Sequence, residues 1–349
     1  MSLERRKEEM SDQFPELDEL FGESFNPKKT IRLEKDVDQD NKERELGNYK
    51  AIWTELRNPE TKGVVEANIY IPRGEKVDKV LIVGPGYRGD FVLQEADYAD
   101  DFAKDGRALI VYRYNGLKIN EKTQNELHCP QRAEIKSDKD YLGEREFNFE
   151  ECNRQVKTIL KALSDKVNEL DKIDFVAHSL AARNVLLTVS DLFKSLDESG
   201  SAKGTVQKVV TKIDNIVLLG AWLETRKDKI WFWEQYLPNE QEREYLEGFD
   251  VKRFFGEAEK SSEKLENMTA ESFPEKTRII GIQSVGDQHV DLEGEYMKFF
   301  DQLKNAKERG TVILKDLKDQ LPTEIGGRET EMHDYAHVLV RKWIKQIIR

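Results

Sequence analysis

The most informative segment of the sequence is residues 172–187, which read KIDFVAHSLAARNVLL. The apolar run IDFV predicts a buried strand, and the run ARNVLLTVSDLF that follows predicts a helix. Between them lie the five residues AHSLA, 177–181, which leave room only for a sharp turn. A serine on such a turn is held out at the end of its strand with a strained backbone. This segment therefore predicts a strand–turn–helix unit with Ser179 at its apex.

Further segments share this shape, a short apolar run that breaks into glycine or charge. They are KVLIVGPGYRG at 79–89, RALIVYRYNG at 107–116, KIDNIVLLGAW at 212–222, TRIIGIQSVGD at 277–287 and the weaker GTVILKDL at 310–317. Runs without alternation are typical of strands buried on both faces, as in a parallel sheet covered by helices.

Helical patterns lie between these runs, at 96–106 and at 149–167. The C-terminal segment carries an apolar stripe at helical spacing, formed by Ala336, Leu339, Val340, Trp343, Ile344, Ile347 and Ile348. Alternating strands and helices predict an α/β fold with a mostly parallel central sheet flanked by helices. Sites in such sheets lie beyond the carboxyl ends of the strands.

The remaining segments indicate the domain organisation. Residues 1–46 are mostly charged and predict an N-terminal arm or a short docked helix, followed by one α/β domain over residues 47–349. The segments WTEL and VVEANIYI predict two early strands joined by a turn near Pro59. Residues 117–149 form a long polar excursion, and residues 225–275 form an aromatic-rich, helix-like insertion that is too long for an ordinary connection and predicts a helical cap.

Composition excludes several classes of function. The chain has 349 residues and a formal net charge of −12, which argues against a nucleic acid as the main ligand. No apolar run approaches the ~18 to 20 residues that span a bilayer, and the first residues lack the apolar core of a secretory signal. Cys129 and Cys152 are too few for a disulfide framework or a four-ligand zinc site. The simplest interpretation is a soluble cytoplasmic protein, and composition leaves its oligomeric state open.

Ser179 is the candidate nucleophile, and the amide of Leu180, in the first helical turn, could stabilise a developing oxyanion. A serine between small residues is weak evidence alone, because it also suits a helix cap. The order of other features strengthens it. Asp287 ends the strand RIIGIQSV, and His333 lies in EMHDYAH before the last helix. Serine, acid and histidine in this order are typical of one hydrolase architecture. A glycine-rich loop at 84–89 could supply a second amide.

Residues 47–349 resemble an α/β-hydrolase with a cap insertion. AHSLA resembles the nucleophile elbow of that superfamily, PGYRG its oxyanion loop, VGDQHV its acid loop and MHDY its histidine segment. The resemblance implies that Ser179 attacks an acyl carbonyl, His333 transfers the proton and Asp287 orients the imidazole. It implies the amides of Tyr87 and Leu180 as the oxyanion pair, a small-molecule acyl substrate, and no metal or organic cofactor.

The sequence departs from the superfamily's pattern in the elbow and in the oxyanion loop. Ala177 and Ala181 stand where glycines are usual, and their added methyl groups can strain the turn. Pro85 stands where many relatives have histidine, which leaves the Tyr87 amide in place.

Other residues compete for these roles. Asp291 and Glu224 are alternative acids, and His337 is an alternative base. His333 is favoured because it precedes the apolar stripe, whereas His337 falls on the polar side of the helix. Further candidates have plainer interpretations: His178 as packing, His289 as a hydrogen-bonded loop residue, and Cys129 as a thiol without a strand–turn–helix context. Residues 333–337 read HDYAH, not the HExxH of zinc proteases, and no phosphate-binding glycine loop occurs.

If a hydrophobic acyl pocket exists, Trp222, Trp231 and Trp233 are its expected wall, although such residues also suit plain cap packing. Three functions remain open. The first is a serine hydrolase of carboxylic esters or related acyl bonds, and the second is an acyltransferase using the same triad. The third is a non-catalytic α/β-hydrolase-like binding or scaffold protein, which the alanine elbow favours slightly. Serine-dependent labelling by a fluorophosphonate would separate the third from the first two.

Overall fold

The structure is a computed structural model that describes residues 14–27, 30–33, 35–37, 43–45, 49–58, 63–74, 76–86, 95–102, 106–114, 147–164, 166–199, 205–236, 250–284, 292–304, 310–315 and 338–348. In chain order its strands are β1 (Ile31–Leu33), β2 (Lys35–Val37), β3 (Glu43–Glu45), β4 (Tyr49–Asn58), β5 (Gly63–Pro72), β6 (Lys79–Gly84), β7 (Arg107–Tyr112), β8 (Lys172–His178), β9 (Ile213–Leu219), β10 (Arg278–Ser284) and β11 (Gly310–Lys315).

The helices lie before and between these strands. They are α1 (Pro15–Phe21), α2 (Glu95–Phe102), α3 (Phe149–Ser164), α4 (Leu180–Ser199), α5 (Thr205–Val210), α6 (Lys227–Tyr236), α7 (Val251–Lys260), α8 (Ser262–Glu266), α9 (Met297–Lys304) and α10 (Val338–Ile347). Short 3-10 turns occupy Gly22–Ser24 and Ala270–Ser272, and a π-helical turn, Leu292–Tyr296, precedes α9.

Within the described residues, nine strands form one sheet in the order β1-β4-β5-β7-β6-β8-β9-β10-β11. The strands from β7 to β11 in this order are parallel, whereas β1, β4 and β5 pair antiparallel at one side. The predicted mostly parallel sheet is therefore confirmed, as is the early hairpin of β4 and β5. Strands β2 and β3 form a separate two-stranded pair.

The parallel strands are apolar on both faces because helices cover both faces. Val80 and Ile82 of β6 belong to a core shared with α1, α3, α4 and the helices between β9 and β10. Leu81 and Val83, which point the other way, pack with α2 and α10. Each fully buried aliphatic side chain contributes about 1.5–3 kcal/mol, so a run without alternation is what this three-layer arrangement requires.

The described part of the predicted arm packs onto the domain. Of the two forms expected for this segment, Pro15–Phe21 takes the docked helix, with Leu17, Leu20 and Phe21 buried. Beyond it, β1 pairs antiparallel with β4 and extends the main sheet at its edge.

Cations at the starts of three strands fix the direction of the last helix. The backbone carbonyl of Ile348 accepts hydrogen bonds from Arg107 Nη2 (2.8 Å) and Lys172 Nζ (3.0 Å), and that of Ile347 accepts one from Arg278 Nη2 (2.8 Å). The three cations begin β7, β8 and β10, so the end of α10 lies at the amino edge of the sheet. Its first residue is therefore directed toward the carboxyl edge.

The helices between β9 and β10 are closely joined to the domain. Phe254 and Phe255 of α7, Leu265 of α8 and Met268 are buried in the same core as the central strands. Lys227 Nζ of α6 forms an ion pair of 2.6 Å with Glu259 of α7. The predicted helical character of this insertion is confirmed over its described residues.

Candidate active site

Ser179 lies at the turn between β8 and α4, as predicted. Its φ is 48°, and among the described residues it is the one position other than glycine with a positive φ. A left-handed conformation costs an L-residue roughly 1–2 kcal/mol, and such strain is found at functional sites. Its side chain is partly exposed, although the residues on both sides of it are buried. The predicted strained turn is therefore confirmed.

Backbone hydrogen bonds hold the turn against the next strand. The Ser179 N–H donates to the Leu219 carbonyl (3.0 Å) at the end of β9. The Ser179 carbonyl accepts from the Ala182 amide (3.2 Å) and from the Trp222 amide (3.2 Å). The start of α4 and the segment 219–222 thus fix the serine at the carboxyl edge of the sheet, and Leu180 begins α4 directly beside it. First-turn amides have no partner within their own helix, which makes this amide a suitable oxyanion donor.

Gly84, the last residue of β6, and Gly86, in the loop that follows, lie against the elbow. Gly84 pairs with Ala177 in the sheet, and a Cβ added to Gly84 would stand 2.6 Å from the Ala181 Cβ. A Cβ added to Gly86 would stand 2.5 Å from His178 Nδ1 and 3.6 Å from the Ser179 Cβ. Gly84 thus leaves free the space that the Ala181 methyl group needs, which explains why an alanine is accommodated at position 181.

Arg183, one helical turn after Ser179, is fully buried and was not expected from the sequence. Its guanidinium donates to the carbonyls of Glu224 (Nη1, 2.6 Å) and Ala258 (Nη2, 2.8 Å). It also donates to the hydroxyls of Ser261 (Nε, 3.1 Å) and Ser262 (Nη2, 3.2 Å). The elbow helix is thereby bonded to the loop after β9 and to helices α7 and α8.

The charge of Arg183 is retained despite burial. Desolvation lowers its pKa to about 10, and the carboxylates of Glu224 and Glu295 oppose that shift. The guanidinium carbon also lies 4.8 Å from the ring centroid of Trp222, a cation–π distance. The sequence contains one indication of this role, a single charged residue inside the apolar run ARNVLL. The partners of Arg183 could not be predicted, because they lie 41 to 79 positions away in the sequence.

Glu295 holds the start of the insertion. Its carboxylate accepts from the Thr225 amide (2.6 Å) and from the Arg226 amide (3.0 Å), immediately before α6. Because Glu295 lies in the π-helical turn after β10, this contact joins the two chain segments on either side of that strand. Glu224, the alternative acid, is buried beside Arg183.

The other predicted site residues fall into two groups. Trp222 is buried, with Phe255 packed edge-on to its ring at 5.9 Å, whereas Trp231 of α6 is 61% exposed. The backbone of Trp233 lies in α6. The remaining predictions lie outside the described residues: Tyr87, Cys129, Asp287, His289, Asp291, His333 and His337.

Cys152 and His178 take structural positions. Cys152 is buried in α3, and burial raises the pKa of its thiol well above the usual value. His178 is 6% exposed and packs against Gly86. Among the described residues, no group of three or more His, Cys, Asp or Glu side chains could hold a metal ion. In the same part of the chain, no helix is long and apolar enough to cross a membrane.

Comparison with known proteins supports this architecture. No family model and no curated protein matches the sequence. Solved structures do match. Esterase Est22 superposes with a TM-score of 0.52 at 13% identity, covering 87% of this chain and 80% of that one. A thermostable esterase from Pseudomonas putida ECU1011 gives a TM-score of 0.52 at 10% identity, covering 88% and 84%. The chain therefore has the α/β-hydrolase fold.

Proposed function

We propose that the protein is a serine hydrolase that cleaves a carboxylic ester through an acyl-enzyme on Ser179. The observation that carries this proposal is the positive φ of a partly exposed serine between a buried parallel strand and a helix. A nucleophilic serine must be held out on a strained turn of this kind. The esterases that share the fold support the same class of reaction.

The ends of described elements support Asp287 as the acid. Strand β10 ends at Ser284, three positions before Asp287, and lies two strands from β8 in the sheet. Two strand spacings amount to about 10 Å, so a carboxylate just beyond β10 can approach the elbow through an intervening imidazole.

The direction of α10 supports His333 as the base. Val338 begins the helix on the side of the carboxyl edge, five positions after His333. Five residues span at most about 18 Å. A general base must come within hydrogen-bond distance of the serine hydroxyl, so we expect His333 to lie at the carboxyl edge of the sheet, where Ser179 also lies.

The proposed reaction has two steps. His333 takes the hydroxyl proton while Ser179 Oγ attacks the ester carbonyl, and the amides of Leu180 and Tyr87 bind the resulting oxyanion. The alkoxide leaves with the proton from His333, which gives the acyl-enzyme. His333 then deprotonates a water molecule that attacks the acyl carbonyl, and the carboxylic acid departs from the regenerated serine. Asp287 accepts the other imidazole N–H throughout.

The insertion is the proposed wall of the acyl pocket. Trp222 is joined to the elbow through its amide, and its ring is fixed between Arg183 and Phe255. Trp231 and Trp233 lie on α6, whose first turn is held by Glu295. We expect these aromatic residues to select apolar acyl or aryl groups.

Hydrolysis of p-nitrophenyl acetate and butyrate tests the proposal. Ser179→Ala should lower kcat by at least about a thousandfold with little change in melting temperature. Ser195→Ala is the matched control, because Ser195 lies on the same helix and its hydroxyl donates locally to the Leu192 carbonyl. It should keep wild-type activity. If Ser179→Ala retains activity within about threefold, the mechanism is wrong; if the wild type has none, a non-catalytic role follows.

A further inference from the structure

Tyr114, two residues beyond β7, lies between the glycine loop and the elbow helix. Its side chain is 1% exposed, and its hydroxyl donates a hydrogen bond of 3.0 Å to the carbonyl of Pro85. Its ring packs against those of Tyr112 and Phe147, with distances of 6.0 Å and 5.6 Å between ring centroids. The bond therefore joins a rigidly packed side chain to the backbone segment that leads directly into Gly86 and Tyr87.

The hydroxyl of Tyr114 stays protonated and therefore remains a hydrogen-bond donor unless the residue is substituted. Burial raises its pKa well above the usual value, and the neighbouring Tyr112 and Cys152 raise it further. The side chain of Asn184, on the elbow helix α4, interacts with the same hydroxyl and lowers its pKa. Tyr114 is thus adjacent to both chain segments that carry the expected oxyanion donors.

The segment held by Tyr114 is restrained from three directions. The ring of Pro85 fixes its own φ, and Gly86 is pressed against the His178 imidazole, with no room for a Cβ. The carbonyl of Pro85 and the amide of Gly86 belong to one planar peptide unit. A hydrogen bond to that carbonyl consequently fixes the plane from which the chain continues to the next amide.

We propose that Tyr114 is a positioning residue for the proposed oxyanion hole, because its hydroxyl bond to the Pro85 carbonyl fixes the peptide plane shared by Pro85 and Gly86, the last described residues before the proposed donor Tyr87. This inference rests on the proposed function. Oxyanion donors act only when they lie about 2.7–3.1 Å from the developing charge. A displacement near 1 Å can cost about a hundredfold in rate, so one hydroxyl behind the loop can control turnover without touching the substrate.

The chain offers a matched control in Tyr112. It is buried on the adjoining end of β7, and its hydroxyl faces the position of an added Gly84 Cβ at 2.7 Å, not the Pro85 carbonyl. Tyr112→Phe and Tyr114→Phe each remove one buried oxygen from the same cluster. Tyr114 Oη donates to Pro85 whereas Tyr112 Oη makes no such bond. A merely structural role for Tyr114 would therefore lower the stability of Tyr114→Phe without lowering its kcat.

The experiment measures kcat and KM for p-nitrophenyl butyrate, together with the inhibition constant of an alkyl trifluoromethyl ketone, in the full-length chain. The ketone forms a tetrahedral adduct whose oxyanion needs the same donors as the transition state. Tyr114→Phe should lower kcat by about 10- to 100-fold, leave KM within about threefold, and raise the inhibition constant in proportion to the loss of kcat/KM. Tyr112→Phe should change none of these by more than about threefold.

If Tyr114→Phe is unfolded at the assay temperature, Tyr114→p-aminophenylalanine replaces it, because its amino group keeps a donor toward Pro85. It should retain kcat within about threefold, and a loss as large as that expected for phenylalanine would overturn the inference. Equal effects of Tyr112→Phe and Tyr114→Phe, or unchanged kcat in Tyr114→Phe, would overturn the inference alone. An inactive wild type would overturn the proposed function and this inference with it.

Discussion

Gly84→Ala should destabilise the protein because the room beside the elbow is already taken by Ala181. The added Cβ would stand 2.6 Å from the Ala181 Cβ, 2.7 Å from Tyr112 Oη and 3.1 Å from Tyr112 Cε1. Ordinary contacts between carbon atoms are about 3.5–4.0 Å, so β6 or the elbow helix must shift by nearly an ångström. Overpacking of this kind costs about 1–3 kcal/mol, and three close contacts place the expected cost at the upper end, about 3 kcal/mol.

The second substitution, Ala181→Gly, tests whether the two positions share one space. Alone it removes a buried methyl group, at about 0.8 kcal/mol, and places glycine in a helix, at about 0.5–1 kcal/mol. In the double variant the closest contact of the new Cβ disappears. We therefore expect Gly84→Ala/Ala181→Gly to be more stable than the sum of the single variants by at least about 1 kcal/mol.

Urea unfolding of the wild type, both single variants and the double variant gives this coupling energy. Gly256→Ala is the matched control, because a Cβ there meets nothing within 4 Å and the position lies inside α7. It should stabilise the protein by about 0.4–1 kcal/mol. Strict additivity, or a Gly84→Ala variant as stable as Gly256→Ala, would refute the explanation of the alanine elbow.

Three further predictions concern stability, pH and the catalytic base. Arg183→Met should lower the free energy of unfolding, measured in urea, by about 3–5 kcal/mol, because the buried acceptors and nearby carboxylates lose their cation. The control Arg226→Met, at an exposed ion pair, should lower it by less than about 1 kcal/mol. Equal losses in the two variants would contradict a stabilising role for the hydrogen bonds of Arg183. Burial raises the pKa of Tyr98 far above 10, so its contribution is complete below the unfolded pKa near 10 and is lost as pH rises further. Tyr98→Phe should therefore flatten the alkaline decline of stability by about 1.4 kcal/mol per pH unit above pH 10, and parallel curves for the two proteins would rule this out. His333→Ala should reduce ester turnover about as much as removal of the serine hydroxyl, whereas His337→Ala should not; the reverse pattern would assign the base to His337.

The elements that could be predicted best from the sequence are strands whose side chains are all buried in the core. The run LIV in β6 and the run IVLL in β9 are buried on both faces, so local composition was enough to predict them. The elbow at Ser179 was predictable for a related reason, since small residues between an apolar strand and a helix permit few other conformations.

Contacts between distant segments could not be predicted in this way. From the sequence alone, Arg183 is only a charge in an apolar helix. The carbonyls and hydroxyls that bind it come from two distant stretches, residue 224 and residues 258–262. The same holds for Ala181, whose methyl group has room only because Gly84 lies opposite it.

The charged N-terminal residues and the aromatic insertion show the limits of composition. Strand β1 consists of Ile31–Leu33 alone, and it joins the sheet because β4 offers an unpaired edge rather than because of its own sequence. Aromatic residues in the insertion are expected both if it covers a pocket and if it packs into the core, so composition does not distinguish the two. Phe254 and Phe255 take the core, and Trp231 is left exposed.

Covalent labelling addresses the proposed chemistry most directly. The native protein is incubated with a fluorophosphonate, and intact-mass and peptide mass spectrometry then give the number and position of adducts. We expect one adduct per chain, on the peptide that contains Ser179, and none in Ser179→Ala or in urea-unfolded protein. Absence of an adduct on the active, folded wild type, or an adduct on another serine, would contradict the assignment of Ser179 as the nucleophile.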